Sequence, residues 1–88
     1  MNSHTLPSFW KLYRKLPVAV RRAAQEAYRQ FMDDPSHPGL HFERLFNDPL
    51  YWLVRITKNH RPVGILQGDT ITWIWIGAHK AFDRAFPR

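Results

Sequence analysis

Apolar residues recur along this chain with two different periods, and the change falls near Pro35. Upstream the spacing is helical. Phe9, Leu12, Tyr13 and Leu16 stand at i, i+3, i+4 and i+7 behind Pro7 and Ser8, and Lys11, Arg14 and Lys15 take the opposite side. Pro17 stops this helix and suits the opening turn of a second one. In the second helix Val20, Ala23, Ala24, Ala27, Tyr28 and Phe31 are expected inside, with Arg21, Arg22, Gln25 and Arg29 outside. Asp33-Asp34-Pro35 closes it, because a residue before proline is driven out of the α region. The small residues Ala23, Ala24 and Ala27 predict a close approach to the first helix or to the sheet.

Beyond the loop Pro35-Ser36-His37-Pro38-Gly39 the period is mostly two, and four strands are predicted over residues 40–45, 51–57, 61–67 and 70–76. Asn47-Asp48-Pro49, Lys58-Asn59-His60 and the tight Gly68-Asp69 supply the turns, and connections this short imply antiparallel pairing. In the last strand Ile71, Trp73 and Trp75 share one face, with Thr70, Thr72, Ile74 and Ile76 on the other. Both faces are partly apolar, so a central strand is expected, with Trp73 and Trp75 in the core. Pro62 lacks an N–H, so the start of its strand belongs at an edge or a bulge. The predicted architecture is α+β, with two N-terminal helices packed on one face of an antiparallel four-stranded sheet.

Length and composition limit the rest. Eighty-eight residues fill one core, so residues 1–88 form one domain, and 44% hydrophobic content is ample for it. Without cysteine there is neither a disulfide nor a thiolate metal site. No apolar run reaches the roughly 18 residues of a membrane span. The Met1-Asn2-Ser3-His4-Thr5 start lacks the features of a signal peptide, so a cytoplasmic protein with no membrane partner is expected. Thirteen Lys and Arg against seven Asp and Glu give a net charge of +6, a balance that favours polyanions through counterion release.

Candidate chemistry gathers in the second half. Cleaving RNA requires a base for the 2′-hydroxyl, cations on the scissile phosphate and an acid for the leaving 5′-oxygen. Arg61 is the leading phosphate clamp because a guanidinium fork matches two phosphate oxygens. Arg55, Lys58, His60 and Lys80 are the supporting RNA-binding candidates. His79 is the leading proton donor, since imidazole titrates near neutrality, and Glu43 is the candidate base. Each has a structural alternative: an arginine on a strand pairs with a carboxylate or faces water, and a histidine after a strand holds a hydrogen bond. No metal site is expected. His37 and His41 are four apart, but Pro38 and Gly39 between them prevent a helix from aligning the imidazoles. No nucleotide-binding glycine pattern or serine nucleophile motif occurs, and no cofactor is expected. Trp52 offers a surface on which a base can stack.

Two strings carry a resemblance. Tyr51-Trp52-x-x-Arg55-Ile56-Thr57-x-x-His60-Arg61 is similar to a strand and turn of YoeB-like toxins, and Trp73-Ile74-Trp75-Ile76-Gly77-Ala78-His79 looks like the close of several related branches. With the helical pair and the loop between Asp34 and Leu40, nearly the whole chain resembles the RelE/ParE superfamily of type II toxins. The resemblance implies a microbial-ribonuclease-like fold and cleavage of mRNA in the ribosomal A site without a metal. It also implies an acidic antitoxin that wraps the toxin and through which the complex binds operator DNA. By position, Arg61 matches the family's phosphate-binding arginine. His79 falls where relatives carry a catalytic histidine or arginine, and Glu43 lies one residue from the base of YoeB-like members. Phe82 stands near the place of a C-terminal tyrosine found in many of these nucleases. Two other readings remain: a ParE-like gyrase inhibitor without nuclease activity, and an inactive antitoxin-binding module.

Overall fold

The structure is a computed structural model that describes residues 1–45 and 48–87. Strand β1 (Asn2–Thr5) leads into helices α1 (Pro7–Tyr13) and α2 (Val18–Asp33). A 3₁₀ turn (Pro38–Leu40) precedes strands β2 (Glu43–Arg44), β3 (Tyr51–Leu53), β4 (His60–Gln67) and β5 (Thr70–Ala78), and helix α3 (His79–Ala85) follows. The five strands form one mixed sheet in the order β1-β5-β4-β3-β2. β5 lies between β1 and β4, as expected for a strand apolar on both faces.

Three elements depart from the predicted four antiparallel strands and two helices. The first is β1, which runs parallel to β5, with Asn2 opposite Thr70 and Thr5 opposite Trp73. Its residues are polar, and Ser3 contributes a hydroxyl that accepts from the Trp73 indole N–H at 3.1 Å. The second is α3, whose buried Phe82 covers the sheet face opposite α1 and α2. The third is the strand expected over 40–45, which shrinks to two residues. His37 Nδ1 accepts from the Gly39 N–H, the Leu40 N–H bonds back to His37, and His41 takes a left-handed conformation with φ 46°, so the ladder starts only at Glu43. His37 is thereby a turn cap. Asn47 of the expected first turn lies outside the described residues; its neighbour Asp48 accepts from the Leu50 N–H at 2.9 Å.

The strand expected over 51–57 ends at Leu53, and Pro62 explains why. The Val54 N–H reaches the Pro62 carbonyl at 3.4 Å, but proline returns no donor, and regular pairing stops there. The chain then leaves the sheet far enough for the Arg55 N–H to bond the Leu40 carbonyl at 2.7 Å. β4 is interior, and the nitrogen of Pro62 faces Val54, so the one bond it cannot make is the one with which the β3–β4 ladder would have continued.

A bulge just past Pro62 reverses the alternation of β5. Val63 pairs with Trp75 and Gly64 with Trp73, which leaves Ile74 as an extra residue. Ile71, Trp73 and Ile76 therefore face α1 and α2, where Phe9, Ala27, Phe31, Leu40 and Val54 complete the main core. Trp75 instead joins Ile74 against the second cluster, built on Leu45, Val63 and Phe82 under α3. The expected common face of Trp73 and Trp75 is corrected by that one residue. Within α2, Val20, Ala27 and Phe31 are buried as expected, but Tyr28 is exposed.

The β4–β5 hairpin turns on Gly68, whose φ of 60° is open to glycine at no steric cost. Gly64 has a different reason. A Cβ there would lie 2.8–3.0 Å from the Ile71 and Trp73 side chains, so glycine lets both pack onto β4.

Candidate functional site

Alternation along β4 decides which candidates meet. Arg61 and Val63 face the α3 side, while His60 and Pro62 face the side of α1 and α2. Arg61 pairs with Gly77 across the ladder, and a Cβ on Gly77 would fall 2.8 Å from the Trp75 indole. The missing side chain thus gives Trp75 its place beside the strand position opposite Arg61.

The Arg61 guanidinium folds back over the turn that precedes it. Its Nη1 donates to the Thr57 carbonyl at 2.8 Å and the His60 carbonyl at 3.1 Å, with Lys58 at 3.5 Å. Thr57 is the centre of this turn. Its hydroxyl accepts from the Asn59 N–H at 3.2 Å and bonds His60 Nδ1 at 2.9 Å. Thr57 was not singled out in the sequence, although its position four residues before Arg61, across a turn, is the available signal.

Partial burial pushes the Arg61 guanidinium below its ordinary range, the Arg55 charge pushes the same way, and Glu43 acts in the opposite direction. These three groups are therefore electrostatic neighbours: two arginines and one carboxylate. Arg61 stays protonated at any accessible pH, so the result is a fixed cation beside a second one. Glu43 pairs with Leu53 at the end of β3, and Arg55 lies two residues further on, where the chain has left the ladder. Glu43 is exposed and Arg55 half-buried.

His79 opens α3, and its N–H donates to the Asn59 carbonyl at 2.7 Å, which ties the start of the helix to the turn below Arg61. Its ring stacks on Phe82 with centroids 6.4 Å apart, and Nε2 lies 3.8 Å from Asp83 Oδ2. Asp83 escaped the sequence reading, though i, i+4 spacing on a helix would have found it. Lys58 and Lys80 are exposed and flank this end of the sheet. His60 does not join the group, because strand alternation turns it to the other face, where its ring is bonded to Thr57. Trp52 is also occupied: it packs on Phe42 at 4.6 Å and donates to the Pro49 carbonyl. Phe82 is buried at 4% exposure and holds α3 to the sheet, a packing role in which a hydroxyl has no part. Among the described residues no three His, Asp or Glu side chains gather as metal ligands. No described helix is long and apolar enough to cross a membrane.

Chemically, the Arg61 guanidinium, held over its turn, can bind phosphate oxygens, with Arg55 and Glu43 as its electrostatic neighbours and His79 at the start of the adjoining helix.

No protein-family profile and no curated protein matches the sequence. Solved structures do match in shape. The RelE toxin of the RelB-RelE complex from Methanococcus jannaschii superposes with a TM-score of 0.78 at 19% identity, over 96% of this chain and 99% of that one. A YoeB/ParE toxin from Agrobacterium tumefaciens gives 0.69 at 24% identity, over 90% and 99%. The toxin–antitoxin complex RelBE of E. coli gives 0.67 at 16%, over 88% and 94%. The chain has the fold of the RelE/ParE toxins.

Proposed function

We propose that this protein is the toxin of a type II toxin–antitoxin pair and cuts mRNA on the ribosome in the cytoplasm. The observation that carries the reading is the Arg61 guanidinium held over its turn with Arg55 and Glu43 as electrostatic neighbours, in a fold shared with RelE and YoeB toxins. Three proteins of this fold were solved as toxin–antitoxin complexes, which supports an antitoxin as partner here. Operator binding through that antitoxin belongs to the same reading.

In the proposed reaction Glu43, or a ribosomal group, takes the 2′-hydroxyl proton. The 2′-oxygen attacks phosphorus, and Arg61 stabilises the added negative charge on the pentavalent phosphate. Arg55 and Lys58 hold the flanking backbone, with Lys80 at the edge. His79 donates a proton to the leaving 5′-oxygen, so the products are a 2′,3′-cyclic phosphate and a 5′-hydroxyl. His60 is left out of the RNA-binding set because it faces away.

The test is induced expression of the chain alone in bacteria, followed by primer extension on a translated message. Growth arrest with cuts at fixed positions within codons, lost in Arg61→Ala, is the expected result. Arrest with intact message would replace the nuclease by a protein target such as gyrase, and harmless expression would leave an antitoxin-binding module.

A further inference from the structure

Strand alternation turns His60 away from Arg61, yet its half-buried ring is not idle. Nδ1 lies 2.9 Å from the Thr57 hydroxyl, and that oxygen already accepts from the Asn59 N–H at 3.2 Å. The hydroxyl's own hydrogen is thereby left for the imidazole, so the neutral ring accepts at Nδ1 and carries its proton on Nε2.

From Thr57 the bonds run to both groups proposed to act on RNA. Its carbonyl accepts from Arg61 Nη1 at 2.8 Å, and the His60 carbonyl takes a second contact from the same atom at 3.1 Å. Asn59, tied by its N–H to the Thr57 hydroxyl, offers its carbonyl to the His79 N–H at 2.7 Å. The turn is closed by a bridge between Thr57 and His60, whose N–H reaches the Thr57 carbonyl at 3.4 Å. A threonine side chain left to itself chooses among staggered rotamers, and only one that is held keeps its hydroxyl on Asn59. His60 supplies that hold from the opposite face of the sheet.

We propose that His60 is a positioning residue: by fixing the Thr57 hydroxyl through Nδ1 it sets the turn that orients Arg61 and anchors His79, and it does so without touching RNA. This deepens the proposed nuclease reading and rests on it for the roles of Arg61 and His79. A histidine that only filled space would be indifferent to which ring nitrogen is replaced. Here the two nitrogens are unequal, because Nδ1 is the one bonded to Thr57.

Asparagine and glutamine separate the two, since an asparagine Oδ1 falls near the place of Nδ1 and a glutamine Oε1 near that of Nε2. Cleavage is followed on ribosomes programmed with a defined message. His60→Ala and His60→Gln should lower kcat about tenfold, the effect of losing one positioning hydrogen bond, with KM nearly unchanged. His60→Asn should keep most of the wild-type rate. In Thr57→Val, which lacks the hydroxyl, adding His60→Ala should cost nothing further. A second readout needs no RNA: a guanidinium held by hydrogen bonds gives separate Nη1 and Nη2 resonances, and a free one averages them. Arg61 should show them separate in the wild type and in His60→Asn, and merged in His60→Ala and His60→Gln.

The proposal is overturned if His60→Asn falls as far as His60→Ala, if His60→Gln restores the rate, or if the two losses multiply in the double variant. A raised KM with kcat unchanged would also overturn it, by making His60 an RNA contact. Should His60→Ala fail to fold, the comparison of His60→Asn with His60→Gln decides. Wild-type protein that cuts no message, while the Arg61 resonances merge in the variants as stated, sinks the nuclease and leaves the turn anchor. Normal cleavage in His60→Gln with both resonances resolved sinks the anchor alone.

Discussion

Arg61 donates through Nη1 to the carbonyl of Thr57 at 2.8 Å, so the guanidinium proposed to hold a phosphate is itself held by the turn that leads into it. Nη1 serves the protein by holding the turn. The bond fixes the cation before RNA arrives, which is what electrostatic stabilisation of a transition state requires.

This double role sets the expected cost of removing it. Arg61→Ala should abolish cleavage and also lower stability by about 1–3 kcal/mol, the range for hydrogen bonds made by a charged donor. Arg61→Lys keeps the charge but cannot reproduce the fork, so it should recover part of the stability and little of the activity. Urea unfolding beside primer extension separates the two effects. A fully stable Arg61→Ala would show that the turn does not need the clamp.

Thr57→Ala leaves the carbonyl that receives Arg61 but removes the hydroxyl that joins Asn59 and His60. A loss of about 1 kcal/mol is expected, with a partial fall in cleavage as Arg61 loses its fixed support. Full activity in this variant would mean that the turn backbone suffices.

The two glycines of the β4–β5 hairpin should respond differently to alanine. Gly64→Ala drives a methyl group into Ile71 and Trp73 and should cost about 1–3 kcal/mol through overpacking. Gly68→Ala meets nothing within 4 Å and pays only for its left-handed backbone, about 1 kcal/mol. Denaturation midpoints of the two variants give the comparison, and equal losses would contradict the packing account.

Phe82→Ala should cost about 3–5 kcal/mol and release α3, since Phe82 is buried at 4% exposure beneath Trp75 and Phe86. Near-ultraviolet circular dichroism reports the change through Trp75. Unchanged spectra and stability would show that α3 is dispensable to the sheet.

Asp34 supplies a pH-dependent contribution. Its carboxylate accepts from the Ser36 hydroxyl at 2.6 Å and the Ser36 N–H at 3.0 Å, and these bonds hold its pKa below the ordinary 3.8. A depressed carboxylate stabilises the fold above its unfolded pKa, and this contribution fades as the pH falls through the folded one. Asp34→Ala should therefore flatten the stability profile below about pH 4 and lower the plateau above it. An unchanged profile would mean that the bond does not distinguish folded from unfolded chain.

What could be read from the sequence was whatever periodicity encodes. Phe9 and Phe31 announce their buried faces, and Gly68 announces its turn. Two things escaped because their cause lies elsewhere in the chain. β1 carries no alternating apolar pattern, and its place depends on the edge of β5. Trp75 turns away from Trp73 only because of a bulge opposite Val63 and Gly64, which no local pattern records. α3 was legible in the i, i+4 spacing of Phe82 and Phe86, had the reading continued past the last strand. Arg61, Arg55 and Glu43 were each named from residue chemistry. Their meeting depends on β2, β3 and β4 lying side by side, a long-range pairing that no local pattern records. His60 illustrates the reverse: adjacent to Arg61 in sequence, it lies on the other face of the sheet.

The parallel pairing of β1 with β5 also orders events in time. Among the described strands the earliest-made, β1, pairs with β5 alone, with Asn2 opposite Thr70 and Thr5 opposite Trp73. Until β5 leaves the ribosomal exit tunnel, β1 has nothing to pair with and the floor under α1 is missing. The arginine pair needs β4 seated on β5 as well. The cationic face therefore assembles only after β5 has followed β4 out of the tunnel, however early β1 was made.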